Sequence, residues 1–218
     1  MKTSTMKLHR WGGIASFILA AAYIIPGLIY LTGDLRQPLG PLAYDLADLL
    51  YGLVWAASLV MVFLALKERM GERAPRRMSV AFLASVVAAG AFIAVACIRS
   101  ANRHYHLSHP DLHLENSATV LIVWTTLVAG VIGAAWHFLG WAWVLVGSAG
   151  WSSRQLPRAL SGLYMVGGVV SLFVYRFPEK EGAVITLGLV VSLWQGILLW
   201  RSEPGGAKAL EMDTSQPG

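Results

Sequence analysis

Four histidines fall within ten residues, His104, His106, His109 and His113, in the pattern H-x-H-x-x-H-x-x-x-H, with Asp111 and Glu115 interleaved. Neutral imidazole is the commonest metal ligand, and three such nitrogens with a carboxylate or water satisfy a tetrahedral zinc ion or a similar divalent metal. Asp45 and Asp48 add a second ingredient: three residues apart, they share a helical face with Gly52 and Trp55. The candidate metal set is therefore His104, His106, His109, His113, Asp48 and Asp111. The same residues also suit a solvated interface loop that holds no ligand, because a histidine-rich tract is a compositional signal. For the aspartates, the matching plain reading is a pair of first-turn carboxylates favoured by the helix dipole.

His137 stands apart from this group, deep in the apolar run GAAWHFLGWAW. A polar side chain there is expected to face neighbouring helices and bond a serine or a backbone carbonyl, which makes it structural. No second histidine lies at matching depth on another segment, so haem ligation across a bundle is not supported. No lysine lies inside an apolar run, which excludes a retinal-type Schiff base. Neither a G-x-x-x-x-G-K phosphate loop nor a G-x-S-x-G elbow occurs.

The elements that must position these residues are apolar. Of 218 residues 56% are hydrophobic and 13% charged, against about a quarter charged in soluble chains. Six segments read as membrane spans: Trp11 to Leu31, Asp48 to Leu66, Met78 to Ile98, Ala118 to about Val146, Leu160 to Tyr175, and Ala183 to Trp200. The first is too long for a cleavable signal core. The fourth exceeds a bilayer of about 30 Å, so it must tilt, project or break near Gly140. The expected fold is all-α, a polytopic membrane bundle in one domain over residues 1–201, with residues 202–218 a solvated, disordered tail.

Charge sets the orientation of those spans. Twelve of the seventeen lysines and arginines fall on the side shared by both termini and five on the other, which places both termini in the cytoplasm. Trp11, Trp151 and Trp200 then fall at the inner interface, and Tyr30, Tyr105 and Tyr175 at the outer one. The histidine stretch Arg99 to Asn116 faces outward. The net charge of +5 is accounted for by this bias, so the partner is the lipid bilayer and not nucleic acid. Cys97 is the sole cysteine, so no internal disulfide forms. Gly33 to Tyr44 reads as a loop, and Ser108 with Asp111 as the cap of a short helix.

From Phe138 to Tyr175 the sequence has a glycine-punctuated helix (Gly140, Gly147) and a serine turn (Ser152, Ser153). L-P-R-x-L-x-G follows (Leu156, Pro157, Arg158, Leu160, Gly162), then a glycine pair (Gly167, Gly168). This stretch resembles an uncharacterised bacterial family of multi-pass membrane proteins, a domain of unknown function, and WGGIASFILAAAYIIPGLIY resembles that family's opening more loosely. The resemblance implies about six helices and a bacterial inner membrane, and it implies no activity. Two functions stay open. One is a small transporter, sensor or accessory subunit whose outward histidine loop binds a divalent metal or responds to pH. The other is a metal-dependent hydrolase in which loop histidines and Asp48 hold zinc and activate water against a lipid ester or amide.

Overall fold

The computed structural model describes residues 2–32, 40–109 and 118–201. Six long helices account for most of them: α1 (Lys2–Thr32), α2 (Gly40–Met70), α3 (Pro75–Ser108), α4 (Ala118–Ser153), α5 (Arg158–Leu172) and α6 (Glu181–Arg201). A 3₁₀ turn, Pro178–Lys180, leads into α6. No strand occurs among the described residues. This is the solution an apolar solvent imposes, because a helix satisfies its own backbone donors and acceptors.

Five of the helices, all but α5, are long and apolar enough to cross a membrane. Their outer faces carry exposed Leu83, Ile122, Val123, Val190 and Leu193. In water such a girdle would be an aggregation surface, whereas in lipid it is the expected exterior.

The helices close into a ring of antiparallel neighbours, with α1 packed on both α2 and α6. Register shows in the contacts. Tyr23 of α1 meets Trp55 of α2 at 5.7 Å between ring centroids. Trp55 meets Phe92 of α3 at 4.5 Å, and Phe92 meets Trp136 of α4 at 5.2 Å. These edge-to-face rings are fully or almost fully buried and form the centre of the core. A polar pair lies inside it, the Gln195 amide donating to Ser16 Oγ at 3.1 Å.

The sixth element is the α4–α5 hairpin. A Cβ placed on Gly140 would lie 2.8 Å from Gly168 O and 2.9 Å from Leu172 N, and one on Gly168 would lie 2.7 Å from Gly140 O. Backbone therefore touches backbone, the close approach that small residues allow between membrane helices. Contacts run from Gly150 against Leu156 to Gly133 against Tyr175, so the hairpin is zipped along about 26 Å of α4.

The first end of the bundle, where α1 begins and α6 finishes, is held by arginines. Arg69 Nε donates to Gln155 O at 3.2 Å and Arg73 to Ser153 O at 2.9 Å. Arg77 donates to Ser152 Oγ at 3.1 Å. These bonds satisfy acceptors around the carboxyl end of α4 that the helix cannot satisfy itself. Arg154 then turns the chain with a φ of 57°, a left-handed conformation at the helix end.

Several sequence expectations need correction. The stretch from Gly33 to Tyr44 is not a loop throughout: its last five residues, 40–44, already belong to α2, and Pro41 fits there because a first turn needs no proline donor. The fourth span, for which tilting, projecting or breaking near Gly140 stood open, does not break and continues as one 36-residue helix. The third runs past Ile98 to Ser108, so Ser108 closes α3, and the short helix expected after it lies outside the described residues. The fifth stops at Leu172, short of Tyr175, and its 15 residues span only about 22 Å. The expected tail, residues 202–218, lies outside the described residues.

The glycine contacts give a test of the hairpin. Gly140→Ala should lower stability by about 1–3 kcal/mol, since the added methyl must push two backbones apart. Gly90→Ala, where nothing lies within 4 Å of the new Cβ, should be neutral or slightly stabilising. Thermal unfolding of the two variants in detergent checks the contrast.

Candidate functional site

The far end of the bundle carries the charged residues that the sequence singles out. Because α3 stays helical to Ser108, residues 99–108 form two and a half turns projecting beyond its apolar run. On a helix, positions two apart point in nearly opposite directions. His104 and His106 therefore diverge. Cys97, Ser100, Ala101 and His104 line one side of the helix, and Arg99, Asn102, Arg103 and His106 the other.

Between these two sides, α3 meets the start of α2. Arg103 donates to Asp45 through Nη1 and to Asp48 through Nη2, so one guanidinium bridges both carboxylates. Ser100 Oγ donates to Asp45 at 3.1 Å, and His104 Nε2 lies 3.1 Å from the other Asp45 oxygen. Asp48 is 1% exposed, while Asp45 is only partly covered. The Arg103 plane also lies 5.5 Å from the Tyr44 ring centroid, a cation–π contact. Two carboxylates three residues apart would repel across one helix face, and the fork of an arginine is the side-chain geometry that binds both.

Directly after the aspartates, α2 passes through a π-helical turn, Leu50–Val54. Gly52 lies within it and faces Ala96 so closely that a Cβ there would clash with the alanine methyl. The extra residue of a π turn and the missing side chain together bring α2 against α3 at the level of the ion cluster. Such turns are frequent at functional sites.

Two openings flank the cluster. A cleft of about 390 Å³ between α2, α3 and α4 is lined by Tyr44, Arg99, Arg103, His106, Leu107 and Trp124, among others. A groove of about 580 Å³ on the opposite side includes Asp45, Asp48, Cys97 and His104. The cleft combines an aromatic and aliphatic wall with guanidinium and imidazole groups, the composition of a site for an anion on an apolar body.

The proposed metal ligands that fall among the described residues do not come together. His104 joins Asp45, Asp48 is engaged by Arg103, and His106 lines the cleft. His109 is stacked on Tyr105 at 4.5 Å, with Nδ1 3.1 Å from Tyr105 O. Asp111 and His113 lie outside the described residues. Among the described residues no group of three or more His, Cys, Asp or Glu is placed to hold a metal ion. The aspartates, by contrast, do find a partner in the histidine stretch, through Asp45 and His104.

His137 meets the structural expectation. It accepts from Trp141 Nε1 at 3.2 Å and its Nδ1 lies 3.4 Å from Leu172 O, an arrangement that suits a neutral ring protonated on Nδ1.

Sequence reasoning missed Arg103, treating it only as a topological charge. Its signal was present in RSANRHYH: extending helical periodicity past the apolar run puts Arg99, Arg103 and His106 on one stripe.

Removing Arg103 alone should be severe, because it takes the guanidinium counter-charge away from buried Asp48. Arg103→Leu should lose on the order of 3 kcal/mol of stability, and the triple variant Asp45→Asn, Asp48→Asn, Arg103→Leu should recover most of it. Unfolding curves for the single and triple variants decide this, and a wild-type midpoint for Arg103→Leu alone would show that the pair carries no such role.

Compared with family models, with curated proteins and with solved structures, the chain matches none.

Proposed function

We propose that this chain is a six-span protein of a bacterial inner membrane with both termini cytoplasmic. In this reading its outward end binds a small anionic amphiphile, as a sensor, transporter or accessory subunit would. Five long apolar helices support the membrane setting. A sixth crossing by α5 is supported by the zipped hairpin, whose roughly 26 Å approaches the hydrocarbon thickness even though the helix alone is short. The orientation rests on the excess of arginine and lysine at the first end. Exposed Trp11, Trp151 and Trp200 at that end, and exposed Tyr105 and Tyr175 at the other, suit two headgroup belts.

The observation that carries the binding reading is Arg103 held between Asp45 and Asp48 beside the cleft. Ionisable groups within membrane helices are expensive to keep and mark functional sites by default. Here the ion cluster positions the cleft wall, and Arg99 and His106 supply the groups an anionic head would meet. Trp124 and Leu107 suit its apolar portion. A carboxylate or phosphate on a hydrocarbon or aromatic body fits this chemistry. The hydrolase reading has less support, since it needs imidazoles converging with Asp48, and that carboxylate already holds a guanidinium.

Two measurements test this reading. Reporter fusions ending at Gly71 and at Leu107 should report opposite sides of the membrane. In nanodiscs, a medium-chain fatty carboxylate should quench tryptophan fluorescence saturably and its methyl ester should not, with Arg99→Gln weakening the carboxylate about tenfold, equivalent to about 1.4 kcal/mol. Equal binding of acid and ester would contradict the anion site. Stoichiometric zinc with ester hydrolysis would favour the hydrolase.

A further inference from the structure

At the opposite end of the bundle, a pocket of about 280 Å³ is lined by Arg73, Ala74, Pro75, Arg76, Arg77 and Ser152. It sits where the turn after α2 feeds the start of α3 against the end of α4. Arg73 and Arg77 each spend donors on α4, but their acceptors are a neutral carbonyl and a hydroxyl. Arg76 is exposed and makes no bond to the clamp. Glu72, in the same turn, forms no ion pair with any of the three among the described residues, where the ion pairs are those of Arg103 and His104 with Asp45 and Asp48.

The charge balance decides what this pocket attracts. The carboxyl end of α4 contributes about half a negative charge, against three full positive charges from the arginines. Roughly two and a half positive charges remain in a small, partly enclosed space, or about one and a half once the carboxylate of Glu72 in the same turn is counted. The start of α3 adds to them, since its cap residue Ala74 offers no side-chain acceptor. A tetrahedral oxyanion meets these conditions best: several acceptor oxygens at once, bidentate geometry with guanidinium, and at least one negative charge.

We infer that the Arg73–Arg76–Arg77 pocket binds a phosphate group, supplied by the headgroup of an anionic phospholipid. The arginine clamp then has two roles. It ties the α2–α3 turn to α4 and holds two guanidinium groups in place for the ligand, leaving Arg76 as the cation committed to the phosphate. The lipid source rests on the membrane placement proposed above, while the phosphate site rests on the pocket alone. Exposed Trp151, one residue from Ser152, is the kind of side chain that settles at headgroup depth, and basic pockets between helices on a cytoplasmic side are a recurrent way of holding phospholipid heads.

Thermal unfolding of the full-length protein in neutral detergent tests this, with phosphatidylglycerol, phosphatidylcholine or inorganic phosphate titrated in. Phosphatidylglycerol should raise the midpoint saturably. Arg76→Gln should demand about fivefold more lipid for half the shift, while Arg10→Gln, which removes one charge from the same end away from the pocket, should stay within about twofold of wild type. If Arg76→Gln gives no folded protein, Arg76→Lys keeps the charge without the fork and should demand about two- to threefold more lipid. An Arg76-dependent shift from phosphatidylglycerol but not from inorganic phosphate supports the lipid source. The same shift from inorganic phosphate alone supports the site and overturns the lipid assignment. No saturable shift, an unchanged midpoint dependence in the Arg76 variant, or equal effects of Arg76→Gln and Arg10→Gln would overturn the site itself.

Discussion

Asp48 gives up its water when α2 packs on α3, and Arg103 is what makes that possible. An isolated carboxylate transferred into a medium of low dielectric is penalised by many kcal/mol, so burial demands either a counter-charge or a proton. The fork of Arg103 supplies the counter-charge to Asp48 and Asp45 together. Its position in turn requires α3 to extend well past its apolar run, and α2 to approach through the π turn and Gly52. The cleft beside Trp124 exists because these two extensions leave a space between them and α4.

The two ends of the bundle use arginine differently. At the far end Arg103 is shared between two carboxylates, which take up its charge entirely. At the end where α1 begins, Arg73 and Arg77 satisfy neutral backbone and hydroxyl acceptors around the end of α4, and their charge is left over. A cancelled charge organises the protein itself, whereas a surplus charge draws in something from outside. Between the two ends the chain relies on shape: edge-to-face aromatic rings in the centre and glycine contacts in the α4–α5 hairpin.

Six apolar segments were legible in the sequence, and helices appear at those places, five of them long and apolar enough to cross a membrane. What hydropathy could not give was helix length. Apolar runs report the thickness of lipid, but a helix continues into the interface wherever its residues allow. The run of α3 ends at Ile98, yet arginine, alanine and asparagine carry the helix to Ser108. Mistaking that extension for a loop made the four histidines look free to converge, when helical spacing sends His104 and His106 apart. The aspartate pair was legible as a shared helical face. Its partner was not, because Arg103 lies 55 and 58 residues away in sequence and only packing joins them.

The measurement closest to the centre of this account is the protonation state of Asp48 in the folded protein. Isotope-edited infrared difference spectra between wild type and Asp48→Asn at neutral pH read it directly. The account predicts that the lost band is a carboxylate stretch, since Arg103 requires an ionised partner. Loss of a protonated carboxylic C=O band would contradict it, showing that Asp48 is buried as the neutral acid and that the ion cluster is not what joins α2 to α3.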